Sequence, residues 1–150
     1  MPGPQSFTPK PVKPSRPRKR FTVAQANKSL PLVQRIVNDI VKAHGDAMTC
    51  QQRLERIANG RGAKDAKEQQ AAQAGMDSAM ARLEDYVDEL SEIGCELKDY
   101  QIGLIDFTGT HKGHDVCLCW KLGEPEVGFW HEEDAGVAGR QPIATLKEGE

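Results

Sequence analysis

The chain has 150 residues, enough for one ordinary domain but too few for two independent hydrophobic cores. Its hydrophobic fraction of 38% and charged fraction of 28% fit a globular protein, and no apolar stretch is long enough to cross a membrane. No hydrophobic run of the kind found in secretory signals follows the basic N-terminal residues, so we expect a cytoplasmic protein whose four cysteines are reduced.

Residues 1–20 differ in composition from the rest of the chain. They contain six of the nine prolines and six Lys or Arg residues without an acid, which leaves 14 basic against 22 acidic residues in the body. Proline opposes both helical and ladder hydrogen bonds, so this segment is predicted to be a disordered basic arm. The arm is either a weak polyanion-binding element, for example for nucleic acid, or a solvated tail without a partner. Its cations are Lys10, Lys13, Arg16, Arg18, Lys19 and Arg20.

The first predicted helix begins at a capping box formed by Thr22 and Gln25. A second helix start follows closely, because Ser29 can act as an N-cap and Pro31 is tolerated in a first helical turn. We therefore expect a short helix over 22–30 that meets a long helix at a bend.

An apolar three-four repeat then runs from Leu30 to Leu54 and stops at the glycine-rich turn 59–62. It resumes in a second predicted helix, which is capped by Asp65 and ends at Gly94. Two long helices joined by a short turn pair antiparallel, as in a coiled-coil hairpin. Each helix has only one partner, so we also expect a homodimer formed through the hairpin.

The remainder of the chain is rich in strand and turn signals. The predicted elements are strands over 95–98, 102–107, 116–121 and 126–130, a loop at 108–113 and a frayed tail at 144–150. The fold class is therefore α+β, with a helical hairpin over 21–94 and a small antiparallel β-rich cap over 95–143 packed on it. Val116, Leu118 and Trp120 alternate along the middle strand and are expected to face the hairpin.

Several segments between Phe21 and Ile143 together form a recognisable pattern. They are Phe21-Thr22 with Ala26, Leu30 and Pro31; Gly103-Leu104-Ile105-Asp106-Phe107; Leu118-Cys119-Trp120 with Leu122-Gly123-Glu124; and Trp130-His131 through Gly136 to Gly139-Arg140-Gln141-Pro142-Ile143. The chain resembles an uncharacterised bacterial family known as domain of unknown function 2203. The resemblance implies that hairpin and cap form one unit, with the recurrent polar residues in the cap. It implies no activity.

The cap also contains the densest group of reactive side chains. The predicted ligand-binding residues are Asp106, Glu124, Trp130, His131 and Arg140. The leading hypothesis is a non-enzymatic interaction or ligand-binding module, whose partner is an unknown protein or a small anion. The structural alternative is that Arg140 pairs with Asp106 or Glu124 and ties the C-terminal segment to the sheet.

A thiol enzyme is a second hypothesis for the cap. Cys119 and His131, oriented by Asp106 or Asp134, are the candidate catalytic residues, because a nucleophilic thiolate needs a neighbouring base. Against this, a cysteine within an apolar strand is more often a small core residue. The sequence contains no phosphate-binding loop, nucleophile elbow or zinc-protease helix.

Zinc is a third hypothesis, with Cys117, Cys119 and His131 as candidate ligands. The spacing disfavours it, because the chain has no C-x-x-C pair. We therefore expect no cofactor, and we interpret His111 and His114 as polar loop residues.

Overall fold

The computed structural model describes residues 18–60 and 66–149, so Lys10, Lys13, Arg16 and the predicted cap Asp65 lie outside the described residues. The fold is α+β, as predicted: two helices precede a five-stranded antiparallel sheet of order β1-β2-β3-β4-β5. The elements are α1 (Val23–Ala58), α2 (Ala66–Ile93), β1 (Cys95–Asp99), β2 (Leu104–His111), β3 (His114–Lys121), β4 (Phe129–His131) and β5 (Gln141–Pro142), with 3-10 turns at Val137–Gly139 and Ile143–Thr145.

The N-terminus of α1 has the predicted capping box. The Thr22 hydroxyl accepts from the Gln25 backbone N–H at 3.1 Å, and the Gln25 side chain accepts from the Thr22 N–H at 2.9 Å. The predicted bend is wrong, because α1 continues through Pro31 as one helix. Leu30 and Val33 are buried on either side of the proline, and burial of this stripe outweighs the one helical hydrogen bond that proline removes.

The two helices pack along each other as the predicted hairpin. Met76 and Met80 of α2 are only half-buried, while Ala72 and Ala79 are fully buried. Gly94 ends α2 with a φ of +113°, as expected of a C-terminal glycine. No described helix is both long and apolar enough to span a membrane.

The predicted loop over 108–113 is wrong. β2 continues to His111 and β3 begins at His114, so both histidines are strand residues. The connection is the two-residue turn Lys112-Gly113, with φ values of +49° and +82°. Positive φ at both positions suits a type I′ hairpin turn, whose twist matches that of the strands.

One face of the sheet packs on the hairpin. Val116, Leu118 and Trp120 are buried in the same hydrophobic cluster as side chains of α1 and α2, which confirms the predicted orientation of β3. Because side chains alternate along a strand, the residues between them point to the opposite side. We refer to that side as the outer face; it carries Asp106 of β2 and Cys117 of β3.

Residues 144–149 were predicted to fray but are packed on the sheet. The Trp130 indole N–H donates to the Thr145 hydroxyl at 2.9 Å, and the Lys147 backbone N–H donates to His111 Nδ1 at 3.0 Å. These contacts satisfy two polar groups on aromatic rings near the core, which explains why the segment is ordered against the sheet.

The last residues of the predicted arm are attached to the cap. Arg20 lies beside Thr108 in an isolated parallel bridge and forms hydrogen bonds of 2.8 and 3.2 Å with Asp115. Arg18 forms a 2.6 Å salt bridge with Glu133. The predicted arm boundary at residue 20 is therefore wrong. Pairing between β1 and β2 ends at Phe107, and the N-terminal segment lies along the part of the β2 edge that β1 does not cover.

Candidate functional site

The outer face holds a cavity of about 490 Å³. Strands β1, β2 and β3, the C-terminal end of α2 and the segment at Arg18 and Lys19 enclose it. This volume lies within the usual range of small-molecule sites. Among the lining residues, Arg18 pairs with Glu133 at 2.6 Å.

Buried polar groups converge at the cavity floor. Asp106 is only 4% exposed, yet it lines the cavity together with Thr108 and Cys117. The strand register explains this convergence: Cys119 lies opposite Asp106, Cys117 lies opposite Thr108, and His131 of β4 lies opposite Cys117. One acid, two thiols and one imidazole therefore share neighbouring positions on three adjacent strands.

His131 connects this group to the backbone. Its Nδ1 lies 2.7 Å from the Glu132 carbonyl oxygen, and its Nε2 lies 3.1 Å from Asp106 Oδ1. A carbonyl oxygen can only accept, so Nδ1 carries the hydrogen in that contact. The contact between Nε2 and the Asp106 carboxylate is favourable when a proton or a metal cation lies between the two atoms.

Three metal-ligating side chains come together here. One ligand atom each from Asp106, Cys117 and His131 lies within 4.8 Å of the others, the one group of this kind in the described part of the chain. Of the predicted weak metal candidates, Cys117 and His131 belong to this group, whereas Cys119 does not.

The two cap thiols have raised pKa values. Burial, followed by the Asp106 charge, raises the pKa of Cys117 to about 12 and that of Cys119 to about 11. Both thiols are therefore neutral at physiological pH. The predicted Cys119–His131 nucleophile needs the opposite, a stabilised thiolate, so the raised pKa of Cys119 disfavours it.

Glu124 and Arg140 form a separate pair. Arg140 Nη2 donates to Glu124 Oε1 at 2.6 Å and Nη1 donates to Oε2 at 3.0 Å. The guanidinium also stacks on the Phe129 ring, 4.3 Å from its centroid. Neither residue lines the cavity, and the pairing agrees with the alternative in which Arg140 binds a cap carboxylate, its partner being Glu124 and not Asp106.

Trp130, His111 and His114 do not line the cavity. Trp130 is buried in the core, and His111 stacks on it with ring centroids 4.3 Å apart. His114 pairs instead with the Glu132 carboxylate at 3.0 Å. None of these three side chains belongs to the metal-ligating group, because each is directed to another partner.

Sequence reasoning missed most of the cavity lining, including Glu96, Lys98 and Thr108. A signal existed for the first two, because they alternate with the apolar Cys95 and Leu97 in β1. This alternation identifies an outward-facing pair, and the structure joins them in a 3.1 Å salt bridge.

Comparison with known proteins gives one finding. Residues 19–143 match the model of the family DUF2203, described as an uncharacterized conserved protein. No curated protein and no solved structure matches the chain. The matched region includes the hairpin, the whole cavity floor and His131.

Proposed function

This chain is a member of the DUF2203 family, and since that membership specifies no activity, we propose from the geometry that the protein binds a small polar molecule in the outer-face cavity. One observation carries the proposal: Asp106, a carboxyl with 4% exposure, lines an open cavity of about 490 Å³. Asp106 has His131 Nε2 as a partner at 3.1 Å, and convergent buried polar groups at a cavity floor are typical of ligand sites.

The charges of the lining support a polar ligand over an apolar one. Both signs are present, and two of the cations are already paired with acids, Arg18 with Glu133 and Lys98 with Glu96. Such pairs can exchange a partner for a charged group of the ligand at modest cost, because exposed ion pairs contribute little stability. The charged lining residues are Arg18, Lys19, Glu92, Glu96, Lys98, Asp106 and Glu133.

The proposal revises the residues of the sequence-based hypothesis while keeping its class. Asp106 is retained as a binding residue and His131 as its partner behind the floor. Glu124, Trp130 and Arg140 are assigned to structure. Thiol catalysis is left out, because the raised pKa values keep Cys117 and Cys119 neutral.

Ligand-observed NMR with a defined panel tests the proposal. The panel contains inorganic phosphate, succinate, glycine and adenosine monophosphate, and we expect saturable binding of at least one. Thr108→Trp fills the cavity and should abolish that binding. Thr110→Trp is the matched control, since Thr110 lies two residues further along the same strand and does not line the cavity. No binding by any member, or equal binding by both variants, contradicts the proposal.

A further inference from the structure

We propose that Asp106, Cys117 and His131 bind a divalent transition-metal ion, with zinc as the best match, and leave one coordination position open to the cavity. This inference rests on the proposed function in one respect only, namely that the open coordination position faces a ligand-binding cavity. The metal site itself is tested separately.

The geometry of the three side chains fits such an ion. Their ligand atoms lie within 4.8 Å of one another, and the closest pair, His131 Nε2 and Asp106 Oδ1, is separated by 3.1 Å. Zinc bonds of about 2.0 to 2.3 Å place tetrahedral ligands roughly 3.3 to 3.8 Å apart. Because the separations reach up to 4.8 Å, metal binding requires the ligand atoms to approach one another by up to about 1 Å, and Cys117 is the half-buried member of the group.

His131 is held as a metal-binding histidine is usually held. Its Nδ1–H donates to the Glu132 carbonyl oxygen at 2.7 Å, so Nε2 is the nitrogen that faces Asp106 and is available to a metal ion. Histidine ligands in metal sites commonly donate their other N–H to a backbone carbonyl in this way. A metal cation bound to Nε2 would take the place of a proton between the imidazole and the facing carboxylate.

The three ligands also determine the net charge of the site and the metals that it favours. Binding converts the Cys117 thiol to a thiolate and releases its proton to solvent, so that one thiolate, one carboxylate and one neutral imidazole balance a 2+ ion. Thiolate and imidazole favour zinc, cobalt or copper over magnesium and calcium, which prefer oxygen ligands.

Three protein ligands leave a position for an exogenous group. Structural zinc sites usually have four protein ligands, whereas sites that engage a substrate have three. Asp106 and Cys117 line the cavity and His131 lies behind it, so the open position faces the cavity. The ligand is therefore expected to be a small molecule with a carboxylate or phosphate group, one oxygen of which binds the metal.

Cobalt titration of tag-free, chelator-treated protein tests the site. We expect about one equivalent of Co²⁺ to bind with a thiolate-to-metal charge-transfer band in the near ultraviolet, and Zn²⁺ to displace it. Cys117→Ser should remove the band, and both Cys117→Ser and His131→Gln should weaken metal binding by about 100-fold or more, since even outer-shell changes cost 10- to 100-fold. Circular dichroism shows whether each variant is folded.

Cys50→Ser and Cys119→Ser are the controls and should retain the band, because neither thiol belongs to the ligand group. The inference is overturned if wild-type protein binds neither ion at micromolar concentrations, or if the band disappears in a control and persists in Cys117→Ser. Binding of the small-molecule panel is measured with metal-loaded and with metal-free protein. Panel binding by a protein that binds neither ion refutes only the metal site, whereas cobalt binding without any panel binding refutes only the cavity proposal.

Discussion

Arg140 donates one hydrogen bond to each carboxylate oxygen of Glu124, at 2.6 and 3.0 Å. The pair joins the segment that follows β4 to the turn that follows β3, and both side chains are less than one-fifth exposed. Glu124 also accepts from the Lys121 backbone N–H at 2.7 Å. One ion pair therefore positions two connections at the same edge of the cap.

Arg140→Ala should destabilise the fold, because it leaves the Glu124 carboxylate partly buried without its cation. Exposed pairs contribute about 0 to 1 kcal/mol and loss of one partner of a fully buried pair costs about 3 to 5, so we expect about 2 kcal/mol here. That corresponds to a melting temperature lower by roughly 4 to 8 °C. Arg18→Ala removes an exposed pair and serves as the control, with little change expected. A melting temperature of Arg140→Ala equal to that of wild type contradicts the structural role.

The same pair predicts a pH dependence of stability. Burial acts to raise the pKa of Glu124, but hydrogen bonds from Arg140 and the Lys121 N–H outweigh it, and the folded-state pKa lies below the ordinary value. Stability from this shift is fully present above the unfolded pKa of about 4.3 and is lost as the pH falls through the folded pKa. The difference in melting temperature between wild type and Glu124→Gln should therefore narrow from neutral to acidic pH. A constant difference would refute the assignment.

Cys117 and Cys119 should react slowly with iodoacetamide. With pKa values of about 12 and 11, both thiols have very small thiolate fractions at neutral pH. Mass spectrometry of metal-free protein should show each residue alkylated much more slowly than glutathione, and faster as the pH rises. Alkylation of Cys119 at the glutathione rate would restore the thiol-nucleophile hypothesis, which the raised pKa of Cys119 disfavours.

Lys112→Asn should stabilise the protein. Lys112 has a φ of +49°, a conformation that costs most side chains energy and that asparagine adopts more readily. We expect a gain of about 0.5 to 1 kcal/mol in the free energy of unfolding, measured with urea. Lys112→Val is the opposing variant, since a branched side chain is unfavourable there. Equal stability of the two variants would show that the turn tolerates either residue by changing type.

The sequence predicted the helices and the general order of the strands because both follow from local periodicity. The apolar repeat of α1 is visible for many turns, so its existence is clear although the effect of Pro31 was overestimated. The β2–β3 hairpin was harder to predict. Its Thr-Gly-Thr segment resembles a loop, yet Gly109 is needed for close packing, since a Cβ there would lie 2.7 Å from Leu118 Cγ.

The residue types of the site could be predicted from the sequence, but which of these residues meet in space could not. Asp106, Cys117 and His131 are far apart in sequence and meet only because β3 pairs with β2 in one register and with β4 in another. A shift of one residue would move each side chain to the other face. The motif spacing in the sequence argued against zinc. That rule applies to ligands that lie close together on one segment, whereas ligands on neighbouring strands can be any distance apart in sequence.

The alanines of the hairpin divide it into two regions. Near the sheet, residues such as Val37 and Leu83 belong to the core that β3 shares, whereas Ala47, Ala72 and Ala79 are buried outside that core. Small side chains bury less apolar area per turn, so the end of the hairpin away from the sheet should open locally at lower free energy. Amide exchange there can then proceed while the cap stays closed. The hairpin end is thus a suitable place to graft a reporter or affinity peptide without disturbing the chemistry of the cap.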